Sequence, residues 1–178
     1  MKNIEEVMEN CDWDVFDEFI ESSFYQRITL RVLNNNSEAY LQRVFEGDFS
    51  YKVFARYEKC ILKICKKIFF ENQNSQIKGF FTLPSESIED SKYARKTMKR
   101  RKRQKLQKMK EQVLTIQSID LYNNLIKIGC REIGQTFIYF YESKTCLIID
   151  ALTCIIYCEN VERVKEYFSN VSVEHTVY

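Results

Sequence analysis

The chain of 178 residues contains little glycine and proline, with four glycines and a single proline. This scarcity excludes collagen-like and low-complexity classes, and it disfavours both a glycine-rich phosphate loop and an all-β fold with many tight turns. The sequence has no run of about 18 uncharged apolar residues, so it offers no membrane-spanning segment. The acidic first residues lack the basic start and apolar middle of a secretory signal, and we therefore expect a cytoplasmic protein.

Histidine is almost absent: the sequence contains one, His175. A Ser-His-Asp or Cys-His arrangement needs a base that packed structure holds in place, which we do not expect so near the end of the chain. The sequence also lacks the glycine-rich dinucleotide, phosphate-loop, nucleophile-elbow and zinc-protease motifs. We therefore predict a non-catalytic protein. A site built from paired carboxylates stays open as the enzymatic alternative.

Cysteine, in contrast, is plentiful, with seven residues in the chain. Their number is odd and they lie in apolar stretches, which favours reduced and buried thiols. Neither Cys60 with Cys65 nor Cys154 with Cys158 has the two-residue separation that is typical of structural zinc sites. The sequence therefore predicts no metal and no cofactor.

Hydrophobic periodicity predicts helices and strands that alternate along the first half of the chain. The predicted elements are an acidic amphipathic helix over 3–22, a strand over 27–33, a short helix over 38–46, a central packing helix over 51–70 and a strand over 77–83 that Pro84 ends. A basic helix follows over 92–110. Helix-forming residues dominate it, and its apolar seam is thin.

The second half predicts one more helix, a strand meander and a closing helix. Ser118 is placed to begin the first of these helices as its N-cap, and Gly129 is placed to end it. The other predicted elements are strands over 136–141, 146–149 and 154–158, a helix over 160–170, and a tail over 171–178 that is either an extra strand or disordered. Apolar residues of both parities between 146 and 158 predict burial on both faces of that part of the sheet.

Together these elements predict a single α+β domain over 1–178. We expect helices packed on one face of a mostly antiparallel sheet, with 92–116 as a basic helical insertion that projects from the body.

Charge is divided very unevenly along the chain. Residues 92–110 contain eleven Lys or Arg and no acidic residue, which leaves 16 basic and 25 acidic residues elsewhere and a net charge of −9 there. Clustered cations bind nucleic acid by releasing the counterions of its phosphates, and with Tyr93 as the only aromatic the recognition would be mainly electrostatic. The predicted nucleic-acid contacts are Lys96, Lys99, Arg100, Arg101, Lys102, Arg103 and Lys105. A solvated helix, docking on the chain's own acidic helix and a nuclear import signal stay open as alternatives.

The acidic first helix is a second candidate surface. Opposite potentials steer association, so an acidic face suits a basic protein partner such as a toxin or a nuclease. The predicted contacts are Glu5, Asp12, Asp14, Asp17 and Glu18, with Trp13 as an aromatic anchor. In the alternative interpretation Trp13 packs in the core and the acids only solvate the helix.

Four segments carry a resemblance to a known family. They are the strand at 27–33, the long helix at 57–70, the helix at 121–130, and the hairpin and helix at 137–149 and 161–168. They resemble the domain-of-unknown-function family numbered 3885, small bacterial proteins of which some look like immunity-type or mobile-element proteins. The family's Tyr-Asp-Asp-Arg-Gly turn is replaced here by residues 149–153, where only Asp150 corresponds, so no functional residue is carried over.

This resemblance implies an immunity-type or mobile-element accessory protein. The sequence as a whole therefore predicts a non-catalytic protein that binds another protein through its acidic surface. The alternative is an RNA- or DNA-binding protein that acts through residues 92–110.

Overall fold

A computed structural model describes residues 4–10, 16, 19–21, 25–31, 51–82, 98–110, 112–131, 134–150, 153–166 and 174–177. Its strands are β1 (Gln26–Arg31), β2 (Ile77–Thr82), β3 (Leu114–Thr115), β4 (Gln135–Phe140), β5 (Thr145–Asp150), β6 (Thr153–Cys158) and β7 (Glu174–Val177). Its helices are α1 (Ile4–Asn10), α2 (Tyr51–Glu71), α3 (Arg100–Gln107), α4 (Ile119–Cys130) and α5 (Val161–Lys165). The predictions at 38–46, Pro84 and Cys11 lie outside the described residues.

The seven strands that the described residues form make one sheet, in the order β3-β2-β4-β5-β6-β1-β7. Every neighbouring pair is antiparallel. Helices pack on this sheet, so the predicted α+β class is confirmed. The tail forms β7 on the outer edge of β1, which places the backbone of His175 opposite Leu30. Of the two alternatives for the tail, the extra strand is therefore confirmed.

One face of the sheet, the α2/α4 face, carries the larger core. α2 and α4 pack side by side over it, because each helix has a broad apolar stripe. In register across the sheet, Leu147, Ile156 and Ile28 lie in one row and point towards these helices. The core is mainly aliphatic, with buried cysteine thiols at Cys65 and Cys130. The prediction of a central packing helix is confirmed, and that of buried thiols is confirmed for five of the six described cysteines, since Cys60 is half-buried.

The opposite face, the α1 face, carries a second and smaller core rich in aromatic rings. Val7 and Met8 of α1 pack there together with Phe16 and Phe19. The Phe16 ring stands edge-on to Phe137, with ring centroids 5.0 Å apart. The prediction that helices cover only one face is therefore wrong. The reason is that β4 and β5 are apolar at both parities, as the sequence indicates, and both of their faces need a cover.

α4 begins where the sequence predicts and continues beyond its predicted end. The Ser118 hydroxyl accepts a hydrogen bond from the Leu121 amide at 3.2 Å, which confirms the N-cap. Gly129 does not end the helix but lies buried inside it. A Cβ at Gly129 would lie 2.5 Å from the carbonyl oxygen of Ile149, so glycine is required here for close packing of α4 on β5.

The described part of the basic segment is anchored to the body. Leu106 is 2% exposed and Met98 is 6% exposed, and both belong to the core of the α2/α4 face. The expectation that this segment projects from the body is therefore wrong for the described residues, because the apolar seam of α3 packs into the core. Among the described residues, no helix combines the length and the apolar character that crossing a membrane requires.

Candidate nucleic-acid interface

The basic residues around α3 point mostly to solvent. Leu106 is the one buried residue of this helix, so the charged side chains of α3 lie on its other sides. Five of the predicted contacts are exposed: Lys99, Arg100, Arg101, Lys102 and Lys105. Arg103 is partly buried and donates from Nη1 to the Met98 carbonyl at 2.6 Å, so it also holds the entry to the helix. Lys96 lies outside the described residues.

α3 lies close to the positive charges of α4. Partial burial lowers the pKa of Lys102, the nearby charge of Lys127 lowers it further, and Arg131 contributes in the same sense, while Asp120 opposes them. These interactions place the cations of α3 beside those at the C-terminal end of α4. Lys127 therefore adds to the positive charge around α3, whereas the charge of Arg131 is paired with Glu58.

α2 adds a row of cations that the sequence interpretation did not assign to a binding site. Arg56, Lys59, Lys63 and Lys66 are exposed and follow one another at intervals of three or four residues, so they share one side of the helix. Phe70 continues this row by four residues and is exposed as well. Their spacing was visible in the sequence, but it is equally typical of the solvated side of a packing helix.

The acidic residues of α2 are neutralised by arginines from elsewhere. Glu58 accepts two hydrogen bonds from the Arg131 guanidinium, at 2.5 Å from Nε and 2.8 Å from Nη2, and both side chains are buried. Glu71 lies 3.8 Å from Arg163. Both acids of the helix are thus compensated, whereas Arg56, Lys59 and Lys66 have no acidic partner among the described residues.

We call the resulting region the cationic surface. It comprises Arg56, Lys59, Lys63, Lys66, Lys99, Arg100, Arg101, Lys102 and Lys105. α2, α3 and α4 all belong to the α2/α4 face, and Arg131, at the end of α4, pairs with Glu58 of α2. Charges of one sign that share a face raise the local potential for an anionic ligand more than the net charge of +2 suggests.

The acidic candidate surface lies on the other side of the sheet. Glu5 is exposed on α1, where its carboxylate lies 3.4 Å from Lys78 of β2. The other predicted contacts of this surface lie outside the described residues: Asp12, Trp13, Asp14, Asp17 and Glu18. Since α1 packs on the α1 face and α3 on the α2/α4 face, the alternative in which α3 docks on the described part of the acidic helix is wrong.

A polar cleft lies where α2 ends, next to the β4–β5 turn and the start of α5. Two adjoining cavities of about 220 Å³ each share Asn72, Glu142, Ser143 and Arg163 in their walls. The Glu142 carboxylate accepts hydrogen bonds from the Ser75 hydroxyl and the Gln76 amide, and these hydrogen bonds lower its pKa. Because Glu142, Glu159 and Arg163 already have partners within the chain, we assign the cleft no ligand.

Cysteine chemistry and metal binding have little support in the described residues. Burial raises the pKa of Cys158, in the wall of this cleft, to about 11, so its thiol is protonated at neutral pH. Among the described residues, no three His, Cys, Asp or Glu side chains come together as metal ligands.

No family model, no curated protein and no solved structure matches this chain. The resemblance to the family numbered 3885 therefore stays a prediction. A functional proposal has to be built on the geometry and charge of the chain's own residues.

Proposed function

We propose that this protein binds nucleic acid through the phosphate backbone, with the cationic surface as its binding site. The observation that carries the proposal is the division of charge within one layer of helices. The acids of α2 are paired with Arg131 and Arg163, whereas Arg56, Lys59 and Lys66 are exposed and have no acidic partner among the described residues. The cations of α3 lie on the same face of the sheet and add to the same potential.

Phosphate contacts explain why long, exposed Lys and Arg side chains suffice for such a site. Each cation that neutralises a phosphate releases condensed counterions, and this gain does not depend on base sequence. The row from Arg56 to Phe70 extends over 15 residues of helix, a rise of about 21 Å. A surface of this length can contact several phosphates at once, so the binding should be strong at low salt and weak at high salt.

The experiment is a salt titration of binding to a fluorescent oligonucleotide. If about five phosphates are contacted, log K falls with log salt with a slope of roughly −4 to −5 for a duplex and about −3.5 for a single strand. A variant with Lys99, Arg100, Arg101 and Lys102 changed to Gln should lose affinity and bring the slope closer to zero. Arg103 is kept because it bonds the Met98 carbonyl, so loss of binding is not confused with loss of the helix.

Two further variants complete the test. Changing Arg56, Lys59 and Lys66 to Gln should weaken binding independently of α3, since α2 belongs to the same proposed surface. Changing Lys144 and Lys165 to Gln removes cations that already pair with Glu159 and Glu162, and it should leave binding unchanged. Full affinity and an unchanged slope in both cationic-surface variants would contradict the proposal.

The protein-binding interpretation can be tested in the same material. The tagged chain is purified from its own host at moderate salt, with and without nuclease. Nucleic acid that the wild type retains and the Lys99–Lys102 variant loses supports the proposal. A stoichiometric protein that survives nuclease treatment, and that Glu5→Gln with Glu9→Gln releases, would instead favour the acidic surface.

A further inference from the structure

Phe70 is an exposed aromatic side chain in the middle of a polar surface. It is 54% exposed, and Val113 at 37% is the other large apolar side chain that the described residues leave open to solvent. Phe70 lies four residues after Lys66 and seven after Lys63, so it stands on the same side of α2 as the row of cations. The cationic surface therefore ends, on α2, at an aromatic ring.

The Phe70 ring is supported from within the protein. It stands edge-on to Phe69, with ring centroids 5.7 Å apart. Phe69 is 7% exposed and contacts the Tyr122 ring at 4.8 Å, and the Tyr122 hydroxyl donates to the Cys65 carbonyl at 2.9 Å. The buried neighbours restrain one side of Phe70, while the rest of the ring faces solvent.

Single exposed apolar residues are common on protein surfaces and need no function. Phe70 differs because a row of cations leads to it and because the acid next to it in the chain, Glu71, lies 3.8 Å from Arg163. A phosphate backbone that follows α2 thus meets no uncompensated acid of that helix beside the ring. This arrangement joins the two features that single-stranded nucleic acid needs, a positively charged track for the backbone and an aromatic face for a base.

We propose that Phe70 stacks on an unpaired base, and that the ligand of the cationic surface is single-stranded nucleic acid. This inference rests on the proposed function and specifies its ligand. In a duplex the bases already stack on one another and present no face to a side chain, whereas a single strand can turn one base towards Phe70 and keep its phosphates on α2. Stacking of this kind tolerates any base, so no sequence preference is expected.

The test compares two ligands and four proteins. The ligands are a fluorescent single strand of about 16 nucleotides, which is the upper site size of common single-strand binding domains, and a duplex of the same length. The proteins are the wild type, Phe70→Ala, Phe70→Trp and Val113→Ala. Phe70→Ala should bind the single strand about tenfold more weakly with an unchanged salt slope, and bind the duplex as the wild type does. Phe70→Trp should restore single-strand affinity, and Val113→Ala should change neither.

A spectroscopic signature separates stacking from a merely structural role. A 2-aminopurine base in the single strand should be quenched on binding to the wild type and to Phe70→Trp, and should stay bright with Phe70→Ala. Because the ring is more than half exposed, thermal unfolding of Phe70→Ala should match the wild type, which excludes misfolding as the cause.

The outcomes distinguish this inference from the proposed function. If Phe70→Ala binds and quenches the single strand as the wild type does while the cationic-surface variants lose binding, stacking is overturned and the proposed function stands. Equal or stronger wild-type binding to the duplex also overturns the single-strand inference alone. If the wild type binds neither ligand at low salt, both proposals are overturned.

Discussion

The layers that pack on the two faces of the sheet differ in the composition of their cores and in the charge of their surfaces. On the α2/α4 face an aliphatic core lies beneath exposed Lys and Arg, while on the α1 face aromatic rings lie beneath exposed acids such as Glu5, Glu9 and Glu21. The sheet and one layer on each side, spaced by roughly 10 Å, keep the two charged surfaces further apart than the Debye length of about 8 Å at physiological salt. A chain with a net charge of +2 can therefore present two surfaces of opposite sign that do not cancel each other.

The ion pairs of the two faces differ in the same way. On the α2/α4 face Glu58 and Arg131 are buried and joined by two hydrogen bonds. On the α1 face the Glu5 carboxylate is half exposed and lies 3.4 Å from Lys78. Buried pairs are costly to break because one charge remains without a partner, whereas exposed pairs contribute little. Four measurements test how far this contrast extends.

The largest effect is expected from breaking the buried pair. Glu58→Ala leaves the Arg131 side chain, which is 4% exposed, without its carboxylate. We expect the free energy of unfolding to fall by about 3–5 kcal/mol, measured by urea denaturation. The matched control replaces both partners, Glu58→Leu with Arg131→Met, and should recover most of the loss because no buried charge remains. A loss below about 1 kcal/mol for the single variant would mean that this pair behaves as a surface pair.

The second measurement compares the two cores through one buried thiol in each. Burial is the main cause that raises the pKa of Cys130, on the α2/α4 face, and of Cys146, on the α1 face, well above the usual 9.0. The folded state keeps these thiols protonated at a pH where the unfolded chain loses the protons. The contribution of these thiols to stability should therefore be constant below about pH 9 and then fall by roughly 1.4 kcal/mol per pH unit for each thiol.

Single variants assign this alkaline loss to the two cores. Cys130→Ala and Cys146→Ala should each make the decline of unfolding free energy above pH 9 less steep by the share of one thiol, as measured by urea denaturation at several pH values. Equal effects would show that both cores unfold together. If Cys146→Ala leaves the slope unchanged, the α1 face already admits water before global unfolding, and the two covers are not equally stable.

The third measurement concerns the close approach of α4 to the sheet. Gly→Ala inside a helix ordinarily stabilises it by about 1 kcal/mol. At Gly129 the added methyl group would lie 2.5 Å from the backbone oxygen of Ile149 and 2.7 Å from its Cγ2, so α4 must move away from β5. We expect a net loss of about 1–2 kcal/mol in unfolding free energy, seen as a lower melting temperature. A higher melting temperature would show that α4 can move away from β5 at little energetic cost.

Local patterns in the sequence predict much of this fold, and contacts between distant residues account for the rest. The stripe of α2, the Ser118 cap and the β4–β5 hairpin are visible because their signals lie within a few residues of one another. From the sequence, Gly129 was interpreted as a helix end. The contact that requires glycine here is with the carbonyl oxygen of Ile149, which lies 20 positions away in the chain and gives no local signal. The insertion of β1 between β6 and β7 depends on contacts that are still more distant in the chain, such as Ile28 opposite Ile156.

Only part of the candidate site, likewise, could be predicted from local signals in the sequence. The charge run at 92–110 identifies α3 from composition alone. The cations of α2 carry no such signal, because in the sequence Glu58 and Glu71 balance part of their charge. The structure pairs these acids with Arg131 and Arg163 instead. The sequence interpretation therefore missed half of the cationic surface, together with the position of Phe70 at its end.

The smallest effect is expected at the exposed pair of the α1 face. Lys78 lies 3.4 Å from Glu5 and 5.2 Å from the centre of the Tyr141 ring. A double-mutant cycle of Glu5→Gln and Lys78→Met should give a coupling energy below about 1 kcal/mol that shrinks further at 1 M salt. A coupling above about 2 kcal/mol that resists salt would contradict the contrast between the faces. A small coupling means that apolar contacts, such as those of Val7 and Phe16, stabilise the packing of the α1 face. The acids of this face can then be changed without destabilising it, so the acidic and cationic surfaces can be tested separately.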